Sequence, residues 1–296
     1  MEKYQYMSLV TEEMVKYKLP KRCEYFHKGN FGKLFAVCGS KNMPGAALFV
    51  INAAIKTGVG MLRACVVPSV YKKIENFEPT FFIAGEDEEG FMTKESLSKM
   101  IAELNSCTAA VVGPGLGLNE NTMEIVYEII RKSEIPLVID ADGINAVSQN
   151  IDVLKESKCK IILTPHFKEM SRLSGLSIEE IKKDKIQCAS EFARNYGVTV
   201  VLKGPKTVIC DENENIFVSN AGNVGMAKGG SGDVLAGMIT GLLGEGLSVH
   251  EAAVHGVYLH GLAGDHAKHD LGAYSMIASD IIAHIKDVTG GNYEPV

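Results

Sequence analysis

The sequence predicts one α/β domain built on a mostly parallel β-sheet with helices on both faces. Two observations carry that expectation. From Lys33 onward, short runs that are apolar from end to end (KLFAVCG, MLRACVV, TFFIAG, TAAVVG, PLVIDA, KIILT and VTVVLKG) alternate with helix-like segments. Strands that lack an inward–outward alternation are buried on both faces, as parallel strands joined by helices are. The second observation is the stretch from Asn220 to Leu243, NAGNVGMAKGGSGDVLAGMITGLL, where glycines crowd around Asp233 and the chain then opens into a long apolar helix. A turn of this kind leaves helix-initiating amides pointing outward at an anion, most often a phosphate.

The elements follow in order. The N-terminal stretch through TEEMVKYKLP reads as a short amphipathic helix stopped by Pro20, followed by a basic connector. Residues 1–32 are therefore expected to form a helix and connector ahead of a domain spanning 33–296. Between the strand runs lie the helical segments PGAALFVINAAIKTG, TKESLSKMIAELN, NENTMEIVYEIIRKS and SIEEIKKDKIQCASEFARNYG. After VTVVLKG, the run TVICDENENIFVS sets two strand-like pieces around an acidic turn, an antiparallel hairpin expected at the sheet edge. Three helical patterns beginning near Ser231, Ser248 and Ser275 complete the chain, and no linker or repeat divides it.

Composition narrows the function. With 46% hydrophobic residues in 296, the chain can bury a large core. A formal net charge of -6, without a long Lys/Arg run, argues against a general nucleic-acid surface and favours small-molecule chemistry. Seven cysteines at 23, 38, 65, 107, 159, 188 and 210 form no CxxC pair, and several lie in apolar strand runs, so reduced thiols and a cytoplasmic location are expected. No segment has the apolar length of a signal peptide or a membrane span, so no membrane partner is expected.

Ligands of parallel sheets collect at the carboxyl ends of the strands. The special elements all fall there. Gly229, Gly230 and Gly232 shape the phosphate-binding turn, and Asp233 suits the reactant that must lose a proton, because a carboxylate is a poor phosphate ligand. GPGLG (113–117) admits a dinucleotide turn or a plain structural turn, but Pro114 and a helix start near Asn119 favour a ligand-lining loop. Asp140 and Asp142 in IDADGIN either help hold hydrated magnesium or serve as a structural acid and a helix cap. In LTPHFKEMSRLSG, His166 and Glu169 open a helix, and the histidine makes either a ligand contact or a local polar one. Lys203 and Lys206 flank the Gly-Pro turn of VLKGPKTVI and suit a nucleotide's phosphates or ribose, unless the hairpin is only a solvated one. The histidines at 255, 260, 266 and 269 lack the spacing of a metal site, and GNFGKL is too short for a P-loop.

Taken together, GSKNMPGAA, GPGLG, DADGIN, TPHFKE, LKGPKT and GNVGMAKGGSGD resemble the ADP- or ATP-dependent NAD(P)H-hydrate dehydratases of the ribokinase-like superfamily, from about Lys33 to the last helix. The resemblance implies a ribokinase-like three-layer domain that repairs hydrated NADH and NADPH (NADHX and NADPHX). The ring hydroxyl is phosphorylated from ADP or ATP with Mg2+, and phosphate is then eliminated. It also implies Asp233 as the catalytic base in contact with the hydrate. Gly230, Ser231 and Gly232 become the anion hole, and Lys203, Gly204, Pro205, Lys206 and Thr207 the nucleotide-binding stretch. Ala46 or Ala47, Gly115 or Gly117, and His166 become the lining of the hydrate pocket. Ser231 stands where the family usually has threonine, which preserves the hydroxyl and the amide. A homotetramer and a separate epimerase are further implications, since the residues before Lys33 are too few for an epimerase domain. A ribokinase-like kinase of a hydroxymethylpyrimidine, thiazole or pyridoxal is the alternative.

Overall fold

A computed structural model describes residues 7–16, 19 and 22–289. The strands are β1 (Met7–Leu9), β2 (Lys33–Val37), β3 (Met61–Val66), β4 (Thr80–Ile83), β5 (Gly85–Glu86), β6 (Met92–Thr93), β7 (Ala109–Val112), β8 (Leu137–Ile139), β9 (Ile161–Leu163), β10 (Thr199–Leu202), β11 (Thr207–Cys210) and β12 (Ile216–Ser219). The α-helices are α1 (Glu12–Lys16), α2 (Pro44–Thr57), α3 (Pro68–Ile74), α4 (Leu97–Asn105), α5 (Glu120–Lys132), α6 (Asp142–Val147), α7 (Phe167–Ser174), α8 (Ile178–Lys183), α9 (Lys185–Tyr196), α10 (Ser231–Gly244), α11 (Val249–Ser275), α12 (Ala278–Ala283) and α13 (Ile285–Thr289).

One sheet takes ten strands in the order β1-β12-β11-β10-β9-β8-β7-β2-β3-β4, and β5 with β6 forms a separate antiparallel ribbon. Strands β7 to β10 are buried at every residue, as their unbroken apolar runs require. From β2 the chain steps to β3 and β4 in one direction, and from β7 to β8, β9 and β10 in the other. Right-handed crossovers then put α2 and α3 on one face and α4 to α9 on the opposite one. Helix α10 is apolar nearly all round because it is enclosed by α2, α11 and the sheet. Adjacent strands β2 and β7 are where the stepping direction reverses, and the loops leaving their carboxyl ends are tied together: Gly39 N–H donates to the Pro114 carbonyl at 2.8 Å.

The antiparallel hairpin β11–β12 is present, but it lies one strand in from the edge. Outside it β1 pairs in parallel, with Ser8 opposite Phe217. A three-residue exposed strand has no periodicity to read, and the open edge of β12 supplies its order. The N-terminal helix is present as α1, and its expected stop, Pro20, lies outside the described residues. The single helix expected after Ser177 breaks in two at Asp184, whose side chain caps α9 by accepting from the Gln187 amide. Five of the seven cysteines are buried thiols. Among the described residues, no helix is long and apolar enough to cross a membrane.

Candidate active site

The centre of the site is a buried charge cluster at the ends of β8, β9 and β10. Asp140 is 1% exposed directly after β8, and a buried carboxylate requires partners. Its Oδ1 accepts from Thr164 Oγ1 and from Lys203 Nζ, each at 2.7 Å. The Lys203 backbone is fixed as well, its N–H donating to the Pro165 carbonyl at 2.8 Å. Glu169 Oε2 lies 4.0 Å from the same ammonium. Burial opposes the charge on Lys203, but the Asp140 carboxylate, followed by Glu169, holds its pKa above the ordinary lysine value.

Helix α10 begins against this cluster. Its first helical bond runs from Val234 N–H to the Gly230 carbonyl at 3.0 Å, so the amides just ahead have no helical partner. Gly230 has φ 91°, and a Cβ there would meet the Phe49 ring at 2.3 Å, so only glycine fits the turn. A Cβ on Gly232 would lie 3.2 Å from Lys203 Nζ and 3.9 Å from Asp140 Oδ2. A fixed cation therefore stands beside the helix start, where an anion is favoured. Ser231 is buried, and its hydroxyl has no hydrogen-bond partner among the described residues.

Asp233 lies in the first turn of α10. Burial first, then the Asp140 carboxylate, pushes its pKa up from 3.8 to about 7, against the pull of Lys203. An aspartate so placed is a base of the right strength at neutral pH. Glu169 is likewise pushed up to about 7, chiefly by burial. His166 and Glu169 close the start of α7 as a reciprocal cap: the Glu169 amide donates to His166 Nδ1 at 3.1 Å, and the His166 amide to Glu169 Oε2 at 2.8 Å. Burial and the nearby Lys203 lower the His166 pKa, so the ring is neutral near pH 7. With Nδ1 accepting, its proton sits on Nε2, and the ring offers a ligand an N–H donor.

The remaining predicted residues divide by location. Ala46 is partly exposed and packs against Gly115, where an added Cβ would meet it at 2.7 Å, whereas Ala47 is fully buried under Gly39. The Gly117 amide is taken by Asp142 Oδ2 at 2.8 Å, and Asp142 Oδ1 accepts from Asn145 Nδ2 at 3.2 Å, so Asp142 braces the GPGLG loop against α6. Within KGPKT, Lys203 turns inward, while Gly204, Pro205, Lys206 and Thr207 form the outer turn. Thr207 Oγ1 donates to the Gly204 carbonyl at 3.1 Å, and Lys185 Nζ donates to the Pro205 and Lys206 carbonyls.

Sequence reasoning missed Thr164 as a partner of Asp140 and Lys185 as the support of the outer turn. Only the position of Thr164 at a strand end signalled the first, and nothing signalled the second. His255 and His260 are buried on α11, and His266 stacks on His284 with ring centroids 6.2 Å apart. No cluster of three or more His, Cys, Asp or Glu among the described residues is arranged to hold a metal ion.

The family model of NAD(P)H-hydrate dehydratases matches residues 34–287. A bifunctional NAD(P)H-hydrate repair enzyme of Moorella thermoacetica is 35% identical over 93% of this chain and 52% of its own length. The chain thus spans about half the length of such bifunctional relatives. An ADP-dependent (S)-NAD(P)H-hydrate dehydratase of Neisseria meningitidis is 36% identical over 88% of this chain and 86% of its own. Among solved structures, the ADP/ATP-dependent NAD(P)H-hydrate dehydratase of Bacillus subtilis, co-crystallised with ATP/Mg2+, superimposes with a TM-score of 0.82 at 28% identity, covering 96% of this chain and 98% of that one.

Proposed function

Because the chain belongs to the NAD(P)H-hydrate dehydratase family, matched from residue 34 to residue 287, we propose that it restores NADH and NADPH from their hydrates, NADHX and NADPHX, with ADP or ATP as phosphoryl donor. The observation that carries the reading is the juxtaposition of a base with a pKa of about 7, Asp233, with an amide-lined helix start and the ammonium of Lys203.

The hydrate lies over Ala46, Gly115 and His166, with the loop held by Gly117 behind it, and its ring hydroxyl reaches Asp233. The nucleotide lies along Gly204 to Thr207, its phosphates toward Gly230, Ser231 and Gly232. Asp233 takes the hydroxyl proton as the oxygen attacks the terminal phosphoryl group. The amides of the α10 turn, the Ser231 hydroxyl and Lys203 Nζ stabilise the negative charge that accumulates on the transferring oxygens. Phosphate is a far better leaving group than hydroxide, and the ring nitrogen's lone pair expels it. Loss of a proton from the adjacent ring carbon then restores the double bond. His166, as an Nε2–H donor, orients the hydrate by a hydrogen bond.

Magnesium fits one place in this arrangement. Asp140 Oδ2 is the carboxylate oxygen turned toward Gly232, whereas Asp142 is occupied by Gly117 and Asn145. Bound there chiefly through the nucleotide's phosphates and water, the ion would neutralise phosphate charge, with Asp140 as its protein contact. A cytoplasmic location, a homotetrameric assembly and a link to epimerisation of the hydrates belong to the same proposal. The bifunctional relatives, about twice as long, support the link to a second activity.

The test is incubation with NADH hydrate, magnesium and either ADP or ATP. Recovery of the ultraviolet absorbance of reduced nicotinamide, dependent on nucleotide, supports the reading. Accumulation of a stable phosphorylated hydroxymethylpyrimidine, thiazole or pyridoxal, without that recovery, would favour the kinase alternative.

A further inference from the structure

An anion hole made of backbone amides has no side chain to aim it. Its aim depends on what holds the loop. Here the loop from Gly222 to Gly230 is gripped at both ends by α11. At the first end, Gly222 N–H donates to Asp265 Oδ2 at 3.0 Å, and Asn223 Nδ2 donates to Asp265 Oδ1 and to the Gly264 carbonyl, each at 2.9 Å. Asn223 Oδ1 accepts in turn from the Gly225 amide at 2.9 Å and so starts the short turn Val224–Met226. The loop can come this close because position 261 is glycine: a Cβ there would stand 2.6 Å from the Ala221 carbonyl carbon. Towards the other end, Lys228 Nζ donates to the Tyr274 carbonyl, in the last turn of the same helix, at 2.6 Å.

We propose that Asp265 is a positioning residue for phosphoryl transfer: through Gly222 and Asn223 it fixes the glycine-rich loop, with the Lys228 contact holding the far end, so that the amides at 230–232 are aimed before the nucleotide arrives. The inference rests on the reading that this turn carries the transferring phosphoryl group. Asp265 reaches the loop through direct hydrogen bonds. Its oxygens are engaged by donors of the loop itself, which leaves it no part in contacting substrate.

The experiment compares wild-type protein with Asp265→Ala and Asp265→Asn. It combines steady-state turnover of NADH hydrate with nucleotide and magnesium, thermal unfolding, and amide hydrogen exchange over residues 221–232 without nucleotide. In Asp265→Ala, kcat should fall by about 10- to 100-fold, as for a reacting group held about 1 Å out of place, with KM for the hydrate within about threefold of wild type. Exchange at Gly222 and Gly225 should quicken by about tenfold or more, since each loses or loosens a hydrogen bond. Asp265→Asn keeps an acceptor for Gly222 and should recover most of kcat at similar thermal stability. A kcat for Asp265→Ala within about twofold of wild type despite faster loop exchange would overturn the proposal. So would equal losses in the two variants that follow only the drop in unfolding temperature. If wild-type protein turns over no hydrate, the functional reading is what fails; unchanged loop exchange in Asp265→Ala would then refute the clamp on its own.

Discussion

Replacing Asp233 with Asn should make the protein more stable and nearly inactive at the same time. Burial and the Asp140 carboxylate raise the Asp233 carboxyl from 3.8 to about 7. At about 1.4 kcal/mol per tenfold change in proton affinity, the ionised form is less stable in the folded protein than in the unfolded chain by about 4 kcal/mol. Part of this returns when Asp233 is removed, because Lys203 loses one of its acidic neighbours. A net gain of about 1–3 kcal/mol at pH 8 is expected, or roughly 2–5 °C in unfolding temperature for a domain of this size. The sign follows from proton binding. The native state holds the Asp233 proton between pH 3.8 and about 7 while the unfolded chain has released it, so wild-type stability falls across that window. The advantage of Asn should therefore be complete above pH 7 and vanish as pH falls to about 4. Urea unfolding of both proteins at pH 4, 6 and 8 measures it, and turnover should drop by about a hundredfold or more, as for loss of a general base (~10²–10⁴). A variant less stable than wild type at pH 8, or one with a stability difference independent of pH, would refute the reasoning. Retained turnover would refute the role of Asp233.

Three further outcomes follow from the same geometry. The kcat/KM of the wild-type enzyme should rise with pH through about 7 as Asp233 ionises, and Glu169→Gln, which removes a like charge, should move that limb to lower pH. Lys203→Met should move the limb to higher pH, lower kcat by about a hundredfold, and destabilise the fold by about 3 kcal/mol, because Asp140 is left buried without its cation. Ala46→Leu should raise KM for the hydrate by about tenfold or more by filling the space beside Gly115 while leaving nucleotide affinity unchanged, as isothermal titration would show.

The alternation of buried strands and helices was legible because parallel strands carry their burial in composition, and the turn at Gly229–Asp233 was legible because its glycines and acid are adjacent in sequence. What escaped reading depends on contacts between distant residues. Strand β1 has only the edge of β12 to define it. Lys203 and Lys206 flank one turn, yet one is drawn into a buried ion pair with Asp140, 63 residues away, and the other remains outside. Asp140 and Asp142 looked equivalent, but one faces Gly232 and the other braces Gly117. The choice between Ala46 and Ala47 was open because consecutive helical residues point in different directions, and only the packing of α2 on Gly39 and Gly115 distinguishes them.

The central claim is that the hydroxyl oxygen leaves as part of phosphate. Turnover of NADH hydrate carrying oxygen-18 in its ring hydroxyl, with unlabelled nucleotide in unlabelled water, tests it most directly by mass analysis of the released phosphate. The account predicts one labelled oxygen in each phosphate, formed in equal amount with reduced nicotinamide. Unlabelled phosphate alongside restored NADH would mean that hydroxide departs directly and that the phosphoryl group never reaches the ring oxygen, which would contradict the mechanism built on Asp233 and the α10 turn.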